Sequence, residues 1–194
     1  MPPATLTTSR LVLRPWRPSD LVAFAAINTD PRVVEFLPKA LTREESDALA
    51  GRIQQNFVEH GFGLWAVALP GVAEFIGFTG LAVPRFTAHF TPCVETGWRL
   101  ASEHWGRGYA TEAARASLAY AFDELRCDEV VSFTVPANVR SRHVMEKLGM
   151  TCSREDDFDH PLVAEGHPLR RHVLYRVGKE KGEWGMGCDG IYDL

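Results

Sequence analysis

Two glycines set two residues apart, between an apolar strand-like run and a long helical run, constrain this chain more than any other feature. The stretch reads Trp105-Gly106-Arg107-Gly108-Tyr109-Ala110-Thr111-Glu112-Ala113. Glycine lets the backbone turn tightly, so several N–H groups can point into one small space. The helix that follows leaves its first amides unbonded and carries a partial positive charge at its start. Such a strand-to-helix junction suits a phosphate or pyrophosphate; the plainer alternative is a tight turn with no ligand. Two phosphate motifs can be set aside. G-x-x-x-x-G-K-[ST] is absent, which speaks against a Walker-type NTPase. The dinucleotide fingerprint opens the first helix with G-x-G-x-x-G, whereas this loop follows residue 100 and has Glu112 at the third glycine position.

The length predicts one domain over 1–178, followed by a glycine-rich tail at 179–194 with little periodicity. Trp184, Ile191 and Tyr192 give that tail a means of docking on the body or on a neighbouring subunit, so a homodimer is compatible with it. A net charge of −4 argues against a general nucleic-acid footprint, although arginines cluster at 140–142 and 170–171. Cys93, Cys127, Cys152 and Cys188 form no CxxC pair, which speaks against structural zinc or a disulfide scaffold and suits a reducing cytoplasm. No apolar run has signal-peptide or membrane-spanning length, so no membrane association is expected.

The hydrophobic pattern predicts strands at 11–13, 64–69, 74–83, 93–100, 129–135, 150–154 and 172–177. It predicts helices at 19–28, 42–60, 111–125 and 138–148. Ser19 and Asp20 offer caps for the first helix, Thr42 and Glu45 form a capping box, Asn138 caps the last helix, and Gly149 stops it. The order β-α-α-β-β-β-α-β-α-β-β gives a mixed, mostly antiparallel central sheet with helices on both faces.

Four segments together resemble the GCN5-related N-acetyltransferases (GNAT), and within them the ribosomal-protein N-terminal acetyltransferase-like branch. They are Glu95-Thr96-Gly97-Trp98-Arg99-Leu100, the run 104–113, Asn138-Val139-Arg140-Ser141, and Glu146-Lys147-Leu148-Gly149-Met150. The resemblance spans about residues 8–178 and implies acetyl-CoA as cosubstrate, no metal, and a primary amine as acceptor, on a peptide or a small molecule. The family's loop pattern, Gln/Arg-x-x-Gly-x-Gly/Ala, falls on Trp105 to Ala110. Trp105 replaces the usual Gln or Arg, as an aromatic often does in the narrower branch. The resemblance assigns the pyrophosphate to backbone of Gly106, Arg107, Gly108, Tyr109, Ala110 and Thr111. It assigns the pantetheine arm to backbone of Trp98, Arg99 and Leu100, in a gap where strands 94–100 and 129–135 splay, with Gly97 placed for a bulge.

Acyl transfer to an amine needs a base for the attacking nitrogen and a proton or hydrogen bond for the leaving thiolate. Glu95 stands at the family's base position, and a carboxylate inside an otherwise apolar strand is costly unless paired; the alternative is that it points outward or pairs with an arginine. Many family members supply a Tyr at the position occupied here by Met145. The nearest hydroxyl one turn earlier is Ser141, which the resemblance places facing the sulfur; otherwise it bonds locally in its helix. Asn138 has two compatible tasks, helix cap and cofactor contact. His160 and His172 flank the loop 158–171, which can form part of an acceptor wall. A non-catalytic acyl-CoA-binding regulator and a transferase of a larger acyl group remain as alternatives.

Overall fold

The computed structural model describes residues 4–179. All of the expected tail but Lys179 lies outside the described residues. The elements run β1 (Leu6–Thr7), β2 (Val12–Arg14), α1 (Asp20–Ile27), α2 (Pro31–Val34), α3 (Arg43–His60), β3 (Leu64–Leu69), β4 (Ala73–Ala82) and β5 (Glu95–Leu100). They continue with α4 (Tyr109–Asp123), β6 (Glu129–Thr134), α5 (Val139–Lys147), β7 (Thr151–Cys152), β8 (Phe158–Asp159) and β9 (Arg171–Gly178). The sheet order is β1-β2-β3-β4-β5-β6-β9-β7, with β8 beside β9. Every pairing is antiparallel except β5 with β6. This is the mixed, mostly antiparallel sheet that the segment order predicts.

Local signals set several boundaries. Thr42 and Glu45 close the capping box of α3, which ends at Gly61 with φ +77°. Asn138 accepts the Ser141 N–H to start α5. Helix α4 begins at Tyr109, two residues earlier than expected, because Gly108 takes the left-handed conformation at its N-cap. The expected strand at 150–154 shrinks to β7 and yields to a 3₁₀ turn at Arg154–Asp156. Strands β1 and β8 and helix α2 are too short to leave a periodic signature.

Helices α4 and α5 cover one face, where Trp65, Ile76, Leu118, Phe122, Met145 and Tyr175 join the main core. Helices α1 and α3 cover part of the other face through Trp16, Phe24, Ile53 and Phe78. The β6–β9 end of that face carries a separate cluster of Phe90, Val131, Phe158 and Leu174. Beneath α1 lies an ion pair that the sequence does not announce, Arg14 with Asp20 at 2.8 Å, both nearly sealed from solvent. Ser19 occupies the N-cap of α1 without a side-chain cap bond, while the Asp20 carboxylate accepts the Arg17 N–H. Among the described residues no helix is long and apolar enough to cross a membrane.

Candidate active site

Strands β5 and β6 touch at a single register pair, Glu95 with Val131, closed by the Val131 N–H donating to Val94 O at 2.9 Å. Beyond that pair they part. The Ala101 N–H bonds Ile76 O, and register with β4 is regular from Gly77↔Leu100 to Ala82↔Glu95. Alternation along an antiparallel strand therefore turns the backbone of Glu95, Gly97 and Arg99 toward β4 and that of Thr96, Trp98 and Leu100 toward β6. The same parity on β6 turns the backbone of Phe133 into the gap.

Two expectations are corrected here. Arg99 cannot offer its backbone to a ligand in the gap, because β4 occupies it; Trp98 and Leu100 are placed to do so. Gly97 forms no bulge, since it stays in register with Gly80, and the irregularity lies between Val67 and Leu69 instead. Each strand follows its own half of the sheet, β5 with β4 and β6 with β9, and the halves diverge without an inserted residue.

The glycine loop stands at the open end of this gap. Gly106 has φ +73° and Gly108 φ +78°. The first amide of α4 with a backbone acceptor is that of Glu112, bonded to Gly108 O at 3.0 Å. Among the described residues the N–H groups of Gly106, Arg107, Gly108, Tyr109, Ala110 and Thr111 have no acceptor. Trp105 ties the loop to the strand through its indole N–H, which donates to Leu100 O at 2.9 Å. Arg140, in the first turn of α5, stacks over Trp105 at 4.9 Å and also lies over Phe36. Trp105 and Arg140 thus join β5, α5 and the segment after α2 at the mouth of the gap.

Glu95, Gly97 and Arg99 project from one face of β5, away from α4 and α5. Burial pushes the Glu95 carboxyl up to about 8. No arginine pairs with it among the described residues. A Cβ at Gly97 would meet only Glu95 Oε1, at 3.8 Å, so the surface beside the carboxyl is open. Ser141 is half-buried, and its hydroxyl bonds no described residue. Its backbone N–H is the one held by Asn138 Oδ1, at 3.2 Å. The Asn138 amide in turn donates to Thr134 Oγ1 at 3.0 Å, so both ends of that side chain have structural partners. Met145, the position where family members often carry Tyr, is 1% exposed and packs in the main core, not in the gap.

Residues 10–151 match the acetyltransferase (GNAT) domain. The chain belongs to the GNAT acetyltransferase family. It is 32% identical over 191 residues to the FsC-acetyl coenzyme A-N(2)-transacetylase of Aspergillus fumigatus, covering 93% of this chain and 77% of that one. Its fold resembles the acetyltransferase from Agrobacterium tumefaciens with a TM-score of 0.74 and 29% identity, covering 92% of this chain and 96% of that one. It also shares the fold of Mycobacterium smegmatis RimJ, solved in complex with CoA-disulfide, at TM-score 0.72 and 21% identity, covering 92% and 88%.

Two features of this GNAT acetyltransferase escape the sequence motifs. The first is a clamp on the glycine loop. Glu112 accepts hydrogen bonds from Thr8 Oγ1 at 2.6 Å, from Ser9 Oγ at 3.1 Å and from the Arg10 N–H at 2.9 Å, and it pairs with the Arg10 guanidinium at 2.6 Å. Arg10 also donates to Arg107 O at 2.9 Å and lies over the Tyr109 ring. Burial raises the Glu112 pKa, and the bonds from Thr8 and Arg10 outweigh it, so the net shift is downward. A lowered folded-state value adds stability above the unfolded value of 4.5, lost as pH falls through the folded value. Glu112→Ala should therefore cost about 1–2 kcal/mol in urea unfolding at pH 7. The difference from wild type should vanish toward pH 3.

The second feature is an aromatic wall on the Glu95 side of the sheet. Phe86 contacts Phe133 and His160, whose ring centroid is 4.6 Å away; His160 lies 5.0 Å from His172, which packs on Phe133 and Phe158. Burial lowers His160 to about 4 and also lowers His172, so both rings stay neutral at pH 7. The histidines were visible as flanks of the loop 158–171; Phe86 and Phe90, supplied by the segment between β4 and β5, were not.

Proposed function

We propose that this acetyltransferase moves an acetyl group from acetyl-CoA to a primary amine by direct attack within a ternary complex. The observation that carries the reading is the half-open gap. It has unpaired backbone edges at Trp98, Leu100 and Phe133, and it leads to a loop with six unbonded amides. A pantetheine arm has the length and hydrogen-bonding groups to fill such a gap as an extra strand. The loop amides and the α4 N-terminus suit its pyrophosphate. In the family this donor supplies an activated thioester; the chain's own residues supply the proton chemistry and the positioning.

The amine nitrogen attacks the thioester carbonyl carbon, and its proton passes to Glu95 directly or through water. The carbonyl oxygen gains negative charge, which the gap-facing Trp98 N–H can stabilise. The C–S bond then breaks, giving an amide and a thiolate, and the Ser141 hydroxyl donates to that sulfur. Asn138 fixes the turn that presents Ser141. The acceptor is a protein N-terminus or a small-molecule amine.

Gly108→Val tests the donor site. Its φ of +78° suits glycine, and a Cβ would also approach Arg10 Nη2 at 3.4 Å. A branched side chain there bends the loop away from the geometry that aims its amides. Calorimetry should show acetyl-CoA affinity reduced tenfold or more, about 1.4 kcal/mol. Unchanged affinity in the folded variant would remove the donor site, and acetyl-CoA binding without thiol release across an amine panel would favour a regulator.

A further inference from the structure

Arg99 is a guanidinium without a carboxylate. Among the described residues none lies within ion-pairing distance of it, although β5 carries it among well-packed neighbours. Its one hydrogen bond is from Nη1 to Asn28 Oδ1, at 2.6 Å. Its plane rests 5.5 Å from the Phe78 ring centroid. Asn28 is itself fully buried and held by a second bond, Asn28 Nδ2 to Ser46 Oγ at 2.8 Å. The chain Ser46–Asn28–Arg99 therefore fixes the guanidinium before any ligand arrives. Arginine carries five N–H donors in a planar fork, and one is used here. The others are not sealed, since no Arg99 nitrogen is among the buried atoms lacking a partner. Burial lowers the Arg99 pKa to about 10, so it remains charged at pH 7. A cation held this way, desolvated and unneutralised, is costly to the free protein and is repaid by an anionic ligand.

Its position says which ligand. Glu95, Gly97 and Arg99 alternate onto one face of β5, so a carboxyl, an open floor and a guanidinium follow one another along the strand. About 13 Å separates the Cα atoms of the outer two, at ~3.3 Å per residue, and both side chains reach over the glycine between them. The wall alongside is aromatic and neutral. Its nearby carboxylates are spoken for: Asp156 pairs with Arg176, and Asp159 with Arg170 and Arg171. Nothing there would neutralise a polycation.

We infer that Arg99 receives the carboxylate of the acceptor, and that the acceptor is a small amine of the amino-acid class, its nitrogen toward Glu95 and its carboxylate toward Arg99. This rests on the proposal that the Glu95 side of β5 is where the acceptor binds. Arg99 is then a specificity residue that meets the planar carboxylate with two parallel N–H donors.

Thiol release separates the possibilities. Wild-type protein with acetyl-CoA is offered the L-amino acids, their carboxamides and spermidine. At least one free acid should exceed its own amide by about 10²-fold in kcat/KM, the size of a charge-paired contact. Arg99→Gln should bring that acid:amide ratio close to one, acting mainly through KM for the acid. It should leave turnover of the amide and the affinity for acetyl-CoA nearly unchanged. Arg99→Lys should restore part of the ratio. If Arg99 merely braces β5 against α1, the glutamine variant lowers acid and amide together and the inference fails. It fails equally if wild type uses amides or spermidine as well as acids, with the transferase reading intact. Bound acetyl-CoA with no turnover of any amine would remove both.

Discussion

Glu95→Gln should lower kcat by roughly 10²–10⁴-fold on the true acceptor, the range expected for loss of a general base, while acetyl-CoA affinity holds. The pH dependence makes the result specific. Burial raises the carboxyl to about 8, so at neutral pH most of the protein carries a protonated Glu95 that cannot accept a proton. Activity should climb between about pH 7 and 9 and level off, with an apparent pKa near 8. The glutamine variant should lose that limb. An acceptor whose own amine titrates well below 7 removes the competing ionisation from the profile. Stability should move the other way. A folded-state value above the ordinary 4.5 means that stability is fully present below about pH 4.5 and is lost as pH rises through about 8, because the charged form is poorly solvated in the gap. Glu95→Gln should therefore melt progressively higher than wild type from pH 5 to pH 9. Slower turnover with a higher melting temperature is the mark of a strained functional group. A variant with normal turnover on the true acceptor would return Glu95 to a structural role.

What could be read from the residues, and what could not, follows the range of the forces involved. The α3 capping box, the Asn138 cap and the two loop glycines act over a few residues, so their signatures are contiguous and the elements they start or stop fall close to expectation. The sheet class follows from the order of those elements. Strand parity and long-range pairing are different. Whether Trp98 or Arg99 turns its backbone to the gap depends on which pairs with β4 are hydrogen-bonded, and no spacing within 95–100 encodes that. The Arg10–Glu112 clamp joins residues 102 positions apart. It explains why Glu112 stands where a dinucleotide loop would have glycine: the position is used to anchor the loop to the β1–β2 turn. The aromatic wall escaped for a related reason, since Phe86, Phe133 and His160 converge from three distant segments. At position 145 the family pattern drew attention to a missing tyrosine, while the helix phase in the fold turns that side chain into the core.

That burial sharpens the prediction for Ser141. Ser141→Ala should slow the chemical step by about 10–10³-fold with little change in acceptor KM, because a hydrogen bond to sulfur strengthens only as charge develops there. The loss should be smaller than at Glu95, since a thiolate departs tolerably even without a proton. Loosening of the helix would be the natural objection. The cap of α5, however, is made by Asn138 Oδ1 to the Ser141 backbone N–H, which alanine retains. The Ser141 hydroxyl makes no bond with a described residue, and alanine is the better helix former. The melting temperature should therefore stay level or rise slightly while turnover falls. Ser141→Cys should recover part of the rate, because a thiol can also donate. Met145→Tyr should not, although it inserts the family's usual donor: the side chain enters a packed core, where overfilling costs about 1–3 kcal/mol, and its hydroxyl would lie away from the gap. Full activity in Ser141→Ala would leave water as the proton source for the thiolate. Recovery in the double variant Ser141→Ala/Met145→Tyr would show that α5 turns a different face to the sulfur.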